Sequence, residues 1–348
     1  MCEKASPAGE GGQREGTIPP VLSILLVRFS SIGDVVLTTP LVRALKRRHP
    51  EAALTFVTKR ALVPLVSDNP HLTRVVALEP DEPVRHLARR LRPLAPTHGL
   101  DLHGSLRSRA LRLLLPGQWS GYRKRKLARG WLISTKLDWY GTAGPVPERY
   151  FEAARHLDVL PDGGPPEFAI GPQPRARVEE WITTEGLGGV PLAVLAPGAA
   201  HATKRWPPAH WAALAARLTS RGLVPIIVGG AADRGVATQI GNLRSVAGAF
   251  SLQETGALLS RARVVVSGDT GVMHMATGVG APVVALFGPT VRQFGFMPYQ
   301  ARAEVLERDL DCRPCSAMGS NRCPMGHHRC LDDITPLEVD SAALRIGG

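Results

Sequence analysis

Aromatic residues are scarce, at 5% of 348 residues. Proteins that read single-stranded nucleic acid stack its bases on aromatic rings. No helix-turn-helix, zinc-finger or RNP-type pattern appears either, so sequence-specific nucleic-acid binding is excluded. Long apolar runs are absent. The run over 21–27, interrupted by Ser23, falls far short of the roughly 20 residues of a membrane-spanning helix. No G-x-G-x-x-G or Walker A loop occurs, which disfavours nucleotide hydrolysis. Cysteine is sparse: Cys2 stands alone and the other four crowd into 312–330. That is not the spread of a secreted disulfide framework. Residues 1–20 lack the apolar stretch of a signal peptide. They are rich in Gly, Glu, Pro and Ser and read as a mobile tail, with the cytoplasm as the expected location.

Acidic residues are also short, 30 against 42 Lys+Arg, for a net charge of +12. Up to residue 170 there are 25 basic and 16 acidic residues; after it, 17 and 14. The positive excess sits in the first half. Such a field attracts nucleic acid, an acidic membrane surface or a phosphorylated substrate, or is a solvated Arg-rich surface.

What is present is an alternation of short apolar runs with helical patterns. Strands are expected over 22–27, 54–58, 74–78 and 100–103, and helices over 34–48, 61–67, 83–91 and 105–115. The pattern resumes with strands over 192–196, 224–228, 264–267 and 283–287. The helices between them fall over 207–220, 233–243, 252–261 and 272–278. Strand–helix alternation means βαβ units around a parallel sheet. A Pro/Gly-rich stretch over 160–174 separates the halves. Two doubly wound domains then face each other across a cleft, each offering the carboxyl ends of its strands to a ligand.

Three turns at strand ends carry candidate chemistry. After the first strand comes Arg28-Phe29-Ser30-Ser31-Ile32-Gly33-Asp34, with Asp34 at a helix start. It is either an acid stabilised by the helix dipole or a general base in the cleft. Later, Lys204-Arg205-Trp206-Pro207 precedes a helix. Cations there are unfavourable unless an anion, such as phosphate, joins them; otherwise they are solvated. The third turn is Ser267-Gly268-Asp269-Thr270-Gly271-Val272-Met273-His274. The amide N–H groups of Asp269, Thr270 and Gly271 are expected to point outward at a helix N-terminus, a ready anion site. His274 lies one helical turn beyond Thr270, as a ligand or a core histidine.

These residues, with Ala285-Leu286-Phe287-Gly288-Pro289-Thr290, resemble the inverting glycosyltransferases of family 9, the lipopolysaccharide heptosyltransferases. The resemblance runs from about Leu22 to Thr335. It implies a GT-B fold, two Rossmann-like α/β domains facing across a cleft. Residues 21–165 would form the acceptor-binding domain, 166–188 a linker and crossover, and 189–348 the nucleotide-sugar-binding domain with a Cys-rich tail segment. ADP-heptose is the implied donor and the lipid A–Kdo inner core, or its first heptose, the acceptor. A different nucleotide sugar, or an epimerase of similar fold, is the alternative. Asp34 corresponds to the family's base, and Lys204, Asp269, Thr270, Gly271 and His274 to its donor contacts. Relatives often carry Thr or Ser where this chain has Ala199-Ala200; Thr203 is the candidate replacement.

No Asp-x-Asp pair is arranged for a divalent ion, so no cofactor is expected for catalysis. Arg107, Arg109, Arg123 and Arg125 are candidates for the anionic glycolipid acceptor. Leu127, Trp131, Leu132 and Ile133 follow five cations in seven residues and are expected to dip into the inner leaflet of the cytoplasmic membrane. Cys312, Cys315, Cys323 and Cys330, with His327 and His328 among them, have spacings open to structural zinc, two disulfides, an iron–sulfur cluster or free thiols.

Overall fold

The computed structural model describes residues 22–141 and 144–348. The expected tail, with Cys2, lies outside the described residues.

Two all-parallel sheets organise the chain. The first holds β1 (Ser23–Val27), β2 (Ala53–Lys59), β3 (Arg74–Leu78), β4 (His98–Asp101) and β5 (Gln118–Gly121) in the order β3-β2-β1-β4-β5. The second holds β6 (Leu192–Ala196), β7 (Val224–Ile227), β8 (Arg244–Ser245), β9 (Ala262–Gly268), β10 (Val283–Phe287) and β11 (Ala303–Glu307), in the order β11-β10-β9-β6-β7-β8. Both are doubly wound orders. The strand order reverses beside β1 in one sheet and beside β6 in the other, and a crevice opens at each reversal. The central strands β1, β6 and β10 are almost wholly apolar and buried, as sheets covered on both faces require.

The helices of the first domain are α1 (Ile32–Val36), α2 (Thr39–Arg48), α3 (Val84–Leu91), α4 (Leu106–Leu114), α5 (Lys126–Thr135) and α6 (Val146–Tyr150). The helix expected over 34–48 is broken in two. Pro40 cannot donate to the ladder and its ring crowds the carbonyl of residue 36. The Thr38 and Thr39 hydroxyls take up the Val35 and Val36 carbonyls, each at 2.7 Å. The break leaves α1 as a short helix at the crevice. The helix expected over 61–67 is a 3-10 turn, Arg60–Leu65, with Pro64 inside it. Strands β5, β8 and β11 are missed by the sequence reading; β5 and β8 are short and polar, and all three carry little of the apolar signal of a buried strand.

The second domain carries α7 (Pro172–Thr184), α8 (Pro208–Ser220), α9 (Arg234–Ile240), α10 (Leu252–Ser260), α11 (Gly271–Gly278), α12 (Arg329–Asp332) and α13 (Pro336–Gly347). The Pro/Gly-rich connection is irregular but held at both ends. Arg43 on α2 makes a bidentate pair with Asp162 at 2.6 and 2.8 Å. On the far side, the Phe168 N–H donates to the Gly278 carbonyl at the end of α11 at 2.7 Å.

Candidate active site at the domain junction

A cavity of about 1060 Å³ lies between the two sheets, at their carboxyl edges. Asp34 and Lys124 line it from the first domain, and Lys204, Asp269, Thr270 and His274 from the second. All five expected donor contacts, Gly271 included, thus line one cavity with the expected base.

The domains meet there through two glycines. A Cβ at Gly33 on α1 would lie 2.4 Å from His274 Cδ2, and one at Gly271 on α11 would lie 2.6 Å from Ile32 Cβ. Only hydrogen at both positions lets α1 and α11 approach this closely.

Asp34 is fully engaged. One carboxylate oxygen accepts from the Ser31 N–H at 3.1 Å and the Ser31 hydroxyl at 2.9 Å. The other faces the Arg28 guanidinium in an ion pair and the Tyr150 hydroxyl at 3.4 Å. Burial pushes the carboxyl up, but the Arg28 charge and the Ser31 hydrogen bonds outweigh it and hold it below its ordinary range. Arg28 is itself fixed by the Leu102 and Ser30 carbonyls and sits over the Tyr150 ring. Asp34 thus both caps α1 and faces the cavity. Arg28 and Tyr150 were missed as its partners. Arg28 stood in the opening motif; Tyr150 lies 116 positions away and gave no local signal.

Lys204 Nζ donates to Asp269 Oδ2 at 2.6 Å and to the Asp269 carbonyl at 3.2 Å. The Thr290 hydroxyl donates to the same Oδ2 at 2.6 Å. Gly268 lets this turn approach β9; a Cβ there would sit 3.1 Å from the Lys204 carbonyl oxygen. The expectation of three outward amides needs correction. The Asp269 N–H donates to the Leu286 carbonyl at 3.2 Å, so the anion site rests on Thr270 and the first turn of α11. Thr203 is not the substitute hydroxyl either: it is buried and exchanges hydrogen bonds with the Ser320 backbone at 3.0 and 2.8 Å. Arg205, the second cation of that segment, holds the Ala199 carbonyl at 2.9 and 2.7 Å.

Burial brings His274 down to about 4, so its imidazole is neutral at pH 7. Its Nδ1 has no partner among the described residues. Asp233, missed by the sequence reading, also lines the cavity, below Gly198 and Gly230 at the ends of β6 and β7. A carboxylate at the end of the second strand suits ribose hydroxyls. Its sequence signal is the Gly229-Gly230 pair after β7.

The expected acceptor contacts separate from the cavity. Arg107, Arg109, Arg123 and Arg125 are exposed and do not line it; Lys124, Arg129 and Arg149 do. On α5, Leu127 is 91% exposed and Trp131 stacks on Trp139 at 4.2 Å. Leu132 departs from expectation: it is buried against Tyr140 and Phe294, with Ile133 beside it.

The four clustered cysteines are free thiols. Burial, together with the neighbouring thiols, raises Cys315 and takes Cys330 up to about 11. Cys330 packs among Leu331, Ile334 and Val339 in the core of the second domain. Among the described residues no three His, Cys, Asp or Glu side chains converge as a metal-ligand set. Cys330 is buried beside that core, yet Cys315, Cys323 and Cys312 lie near enough to raise its thiol. An Asp-x-Asp does occur, Asp309-Leu310-Asp311, but both carboxylates are exposed and neither lines the cavity.

Comparison with known proteins gives the same picture. Residues 84–325 match glycosyltransferase family 9 (heptosyltransferase). Lipooligosaccharide heptosyltransferase 2 of Haemophilus influenzae is 27% identical, over 90% of this chain and 96% of the relative. The glycosyl transferase family 9 structure from Veillonella parvula superimposes with a TM-score of 0.80 at 23% identity, covering 94% and 97% of the two chains. The ADP-heptose lipopolysaccharide heptosyltransferase II of E. coli does so at 0.72 and 25%, covering 94% and 98%. The fold is GT-B.

Proposed function

The chain belongs to glycosyltransferase family 9, the heptosyltransferases, and on that premise we propose that it moves a heptose from ADP-heptose to the inner core of lipopolysaccharide, on Kdo or the first heptose, with inversion. The observation that carries this reading is the junction itself. A half-buried, ionised carboxylate on one domain faces a lysine and a helix N-terminus on the other, across one cavity.

The chemistry follows from the residues. An acceptor hydroxyl attacks the anomeric carbon as the bond to the donor phosphate breaks. The bonding electrons leave with ADP and the hydroxyl proton passes to Asp34. A carboxylate held below its ordinary range is a weak base, but it is always ionised at neutral pH. Weak is sufficient here, because a hydroxyl attacking an oxocarbenium-like centre becomes acidic as the new bond forms. Lys204 turns from Asp269 toward the diphosphate, and the Thr270–Gly271 turn supplies N–H donors where negative charge develops. These groups occupy the role a divalent ion would otherwise play.

We further propose that α5 meets the membrane at the inner face. Leu127, Leu137 and the stacked Trp131–Trp139 pair are exposed beside Arg123, Arg125 and Lys126. Apolar side chains with flanking cations suit an anionic interface. No described helix is long and apolar enough to cross it. The zinc reading of Cys312, Cys315, Cys323 and Cys330 is a separate proposal, which requires the segment to tighten around the metal. One zinc per chain purified without chelator would support it; four free thiols and no zinc would end it.

The test of the reaction is ADP release from ADP-heptose with heptose-deficient lipopolysaccharide, in EDTA. Wild type should turn over, and Asp34→Asn should lose transfer while still binding ADP. Full turnover in Asp34→Asn, or tight UDP binding with ADP inert, would overturn the reading.

A further inference from the structure

Lys124 sits in the cavity wall, on the turn joining β5 to α5, next to the Arg28–Asp34 pair. Its side chain is half-buried, and among the described residues no hydrogen bond or ion pair engages its ammonium. The backbone makes room for it. Gly104 has φ +57°, and a Cβ there would lie 3.2 Å from Lys124 Cε. The two nearby carboxylates are already spent. Asp34 serves Arg28, Ser31 and Tyr150. Asp101 accepts from the backbone N–H groups of His103 and Gly104, at 3.0 and 2.7 Å, and from the Ser108 hydroxyl at 3.0 Å. The chain neighbours of Lys124 do not line the cavity: the Arg123 backbone N–H donates to Glu152, and the Arg125 guanidinium to the Tyr140 carbonyl. A cation drawn into a cavity without a counter-charge has lost hydration and gained nothing in return. An anionic ligand supplies what is missing.

We infer that Lys124 is an anion subsite for the acceptor, taking a carboxylate or phosphate that the acceptor sugar carries close to its attacking hydroxyl. The inference rests on Asp34 being the base, since that is what places the hydroxyl beside Lys124. It makes the acceptor's charge, and not its shape alone, a condition of productive binding. A neutral sugar at this position would leave the ammonium buried and unpaired.

The surroundings agree. Burial, with Arg28 and Lys126 nearby, brings the Lys124 ammonium down to about 8; Asp34 and Asp101 pull the other way. His103 faces the same groups and, held at about 4, is neutral at pH 7. In the free enzyme Lys124 therefore sheds its charge as the pH rises through about 8. Acceptor binding should weaken over the same interval.

The experiment compares charged and neutral probes on the full chain by titration calorimetry. The probes are free Kdo against its carboxamide, and heptose 4-phosphate against heptose. Wild type should prefer one charged member by roughly ten- to hundredfold, the span of a hydrogen bond to a charged group. The pair that shows the preference says whether the anion is carboxylate or phosphate. Lys124→Gln should erase the preference and leave ADP binding unchanged. Lys124→Arg should keep it and extend it above pH 8. Equal binding of charged and neutral probes by wild type, or an undiminished preference in Lys124→Gln, would overturn the subsite. The proposed reaction fails differently: no ADP-heptose turnover, with the charge preference intact.

Discussion

The imidazole of His274 lies against the Cα of Gly33, so that a residue of the second domain touches the residue before Asp34. Through this contact α11 and α1 share one boundary, and whatever binds at α11 is felt one residue from Asp34.

Gly33→Ala places a methyl group 2.4 Å from His274 Cδ2, a wedge in a junction where the imidazole is fully buried. Overpacking of this kind costs about 1–3 kcal/mol. The variant should melt several degrees lower and lose most turnover. His274→Ala in the same chain should recover the melting temperature in part and not the activity. Unchanged melting of the single variant would show that the domains separate freely in solution.

Arg28→Gln removes the charge that holds Asp34 down, while the burial that pushes it up stays. The acid limb of kcat/KM, expected below the ordinary carboxylate range in wild type, should move upward. Tyr150→Phe removes a 3.4 Å hydrogen bond and should move it less. The same group works on stability. A carboxyl lowered in the folded state contributes stability above its unfolded value, near pH 4, and loses it as pH falls through the folded value. Asp34→Asn should therefore flatten the acid end of the wild-type stability curve.

Lys204→Ala should lower kcat/KM by roughly 10²–10³, the usual loss when a group stabilising developing charge is removed. Most of that loss should fall on kcat, since the diphosphate gains charge only as the sugar leaves. Asp269, freed of its partner, stays held by Thr290 at 2.6 Å, so the fold should survive. A change confined to the KM for donor would make Lys204 a binding residue only.

Burial keeps His103 and His274 neutral, each at about 4, and lowers His98 in the same direction. Their unfolded values lie near 6.5, so between about 6.5 and 4 the unfolded chain binds protons that the folded chain refuses. Stability should fall as pH drops through that window and be level above it. Urea midpoints at pH 7 and pH 5 test this, and His274→Asn should lessen the difference.

Leu127→Glu or Trp131→Ala should cut sedimentation with anionic vesicles several-fold and leave turnover of a detergent-dispersed acceptor unchanged. Leu132→Ala should instead lower stability, since Leu132 is buried against Tyr140 and Phe294. Equal vesicle binding by all three variants would remove α5 from the interface.

Local chemistry made much of the site legible. Asp34, Lys204, Thr270 and His274 each stand in a small-residue turn after an apolar run, and such turns place side chains at the carboxyl edge of a parallel sheet. The exposed arginines misled because charge along a chain does not say which side chains face a cavity: Lys124 does, and Arg123 and Arg125 beside it do not. The cysteine spacing left several fates open, and the burial of Cys330 beside Leu331 and Ile334 is a feature of packing that spacing does not encode.

By itself the sequence determined the two parallel-sheet domains and the place of the crevice in each, because apolar period and turn composition act over a few residues; the family entered only through the resemblance of its motifs. Tertiary structure alone decided what the site's groups do to one another. Tyr150 reaches Asp34 across 116 positions, Asp269 takes Lys204 across 65, and Gly33 receives His274 from the other domain. Those pairings set which charges are spent, which are spare and how firmly Asp34 holds its proton. They depend on distances through space in a medium of low polarity, which no local pattern encodes.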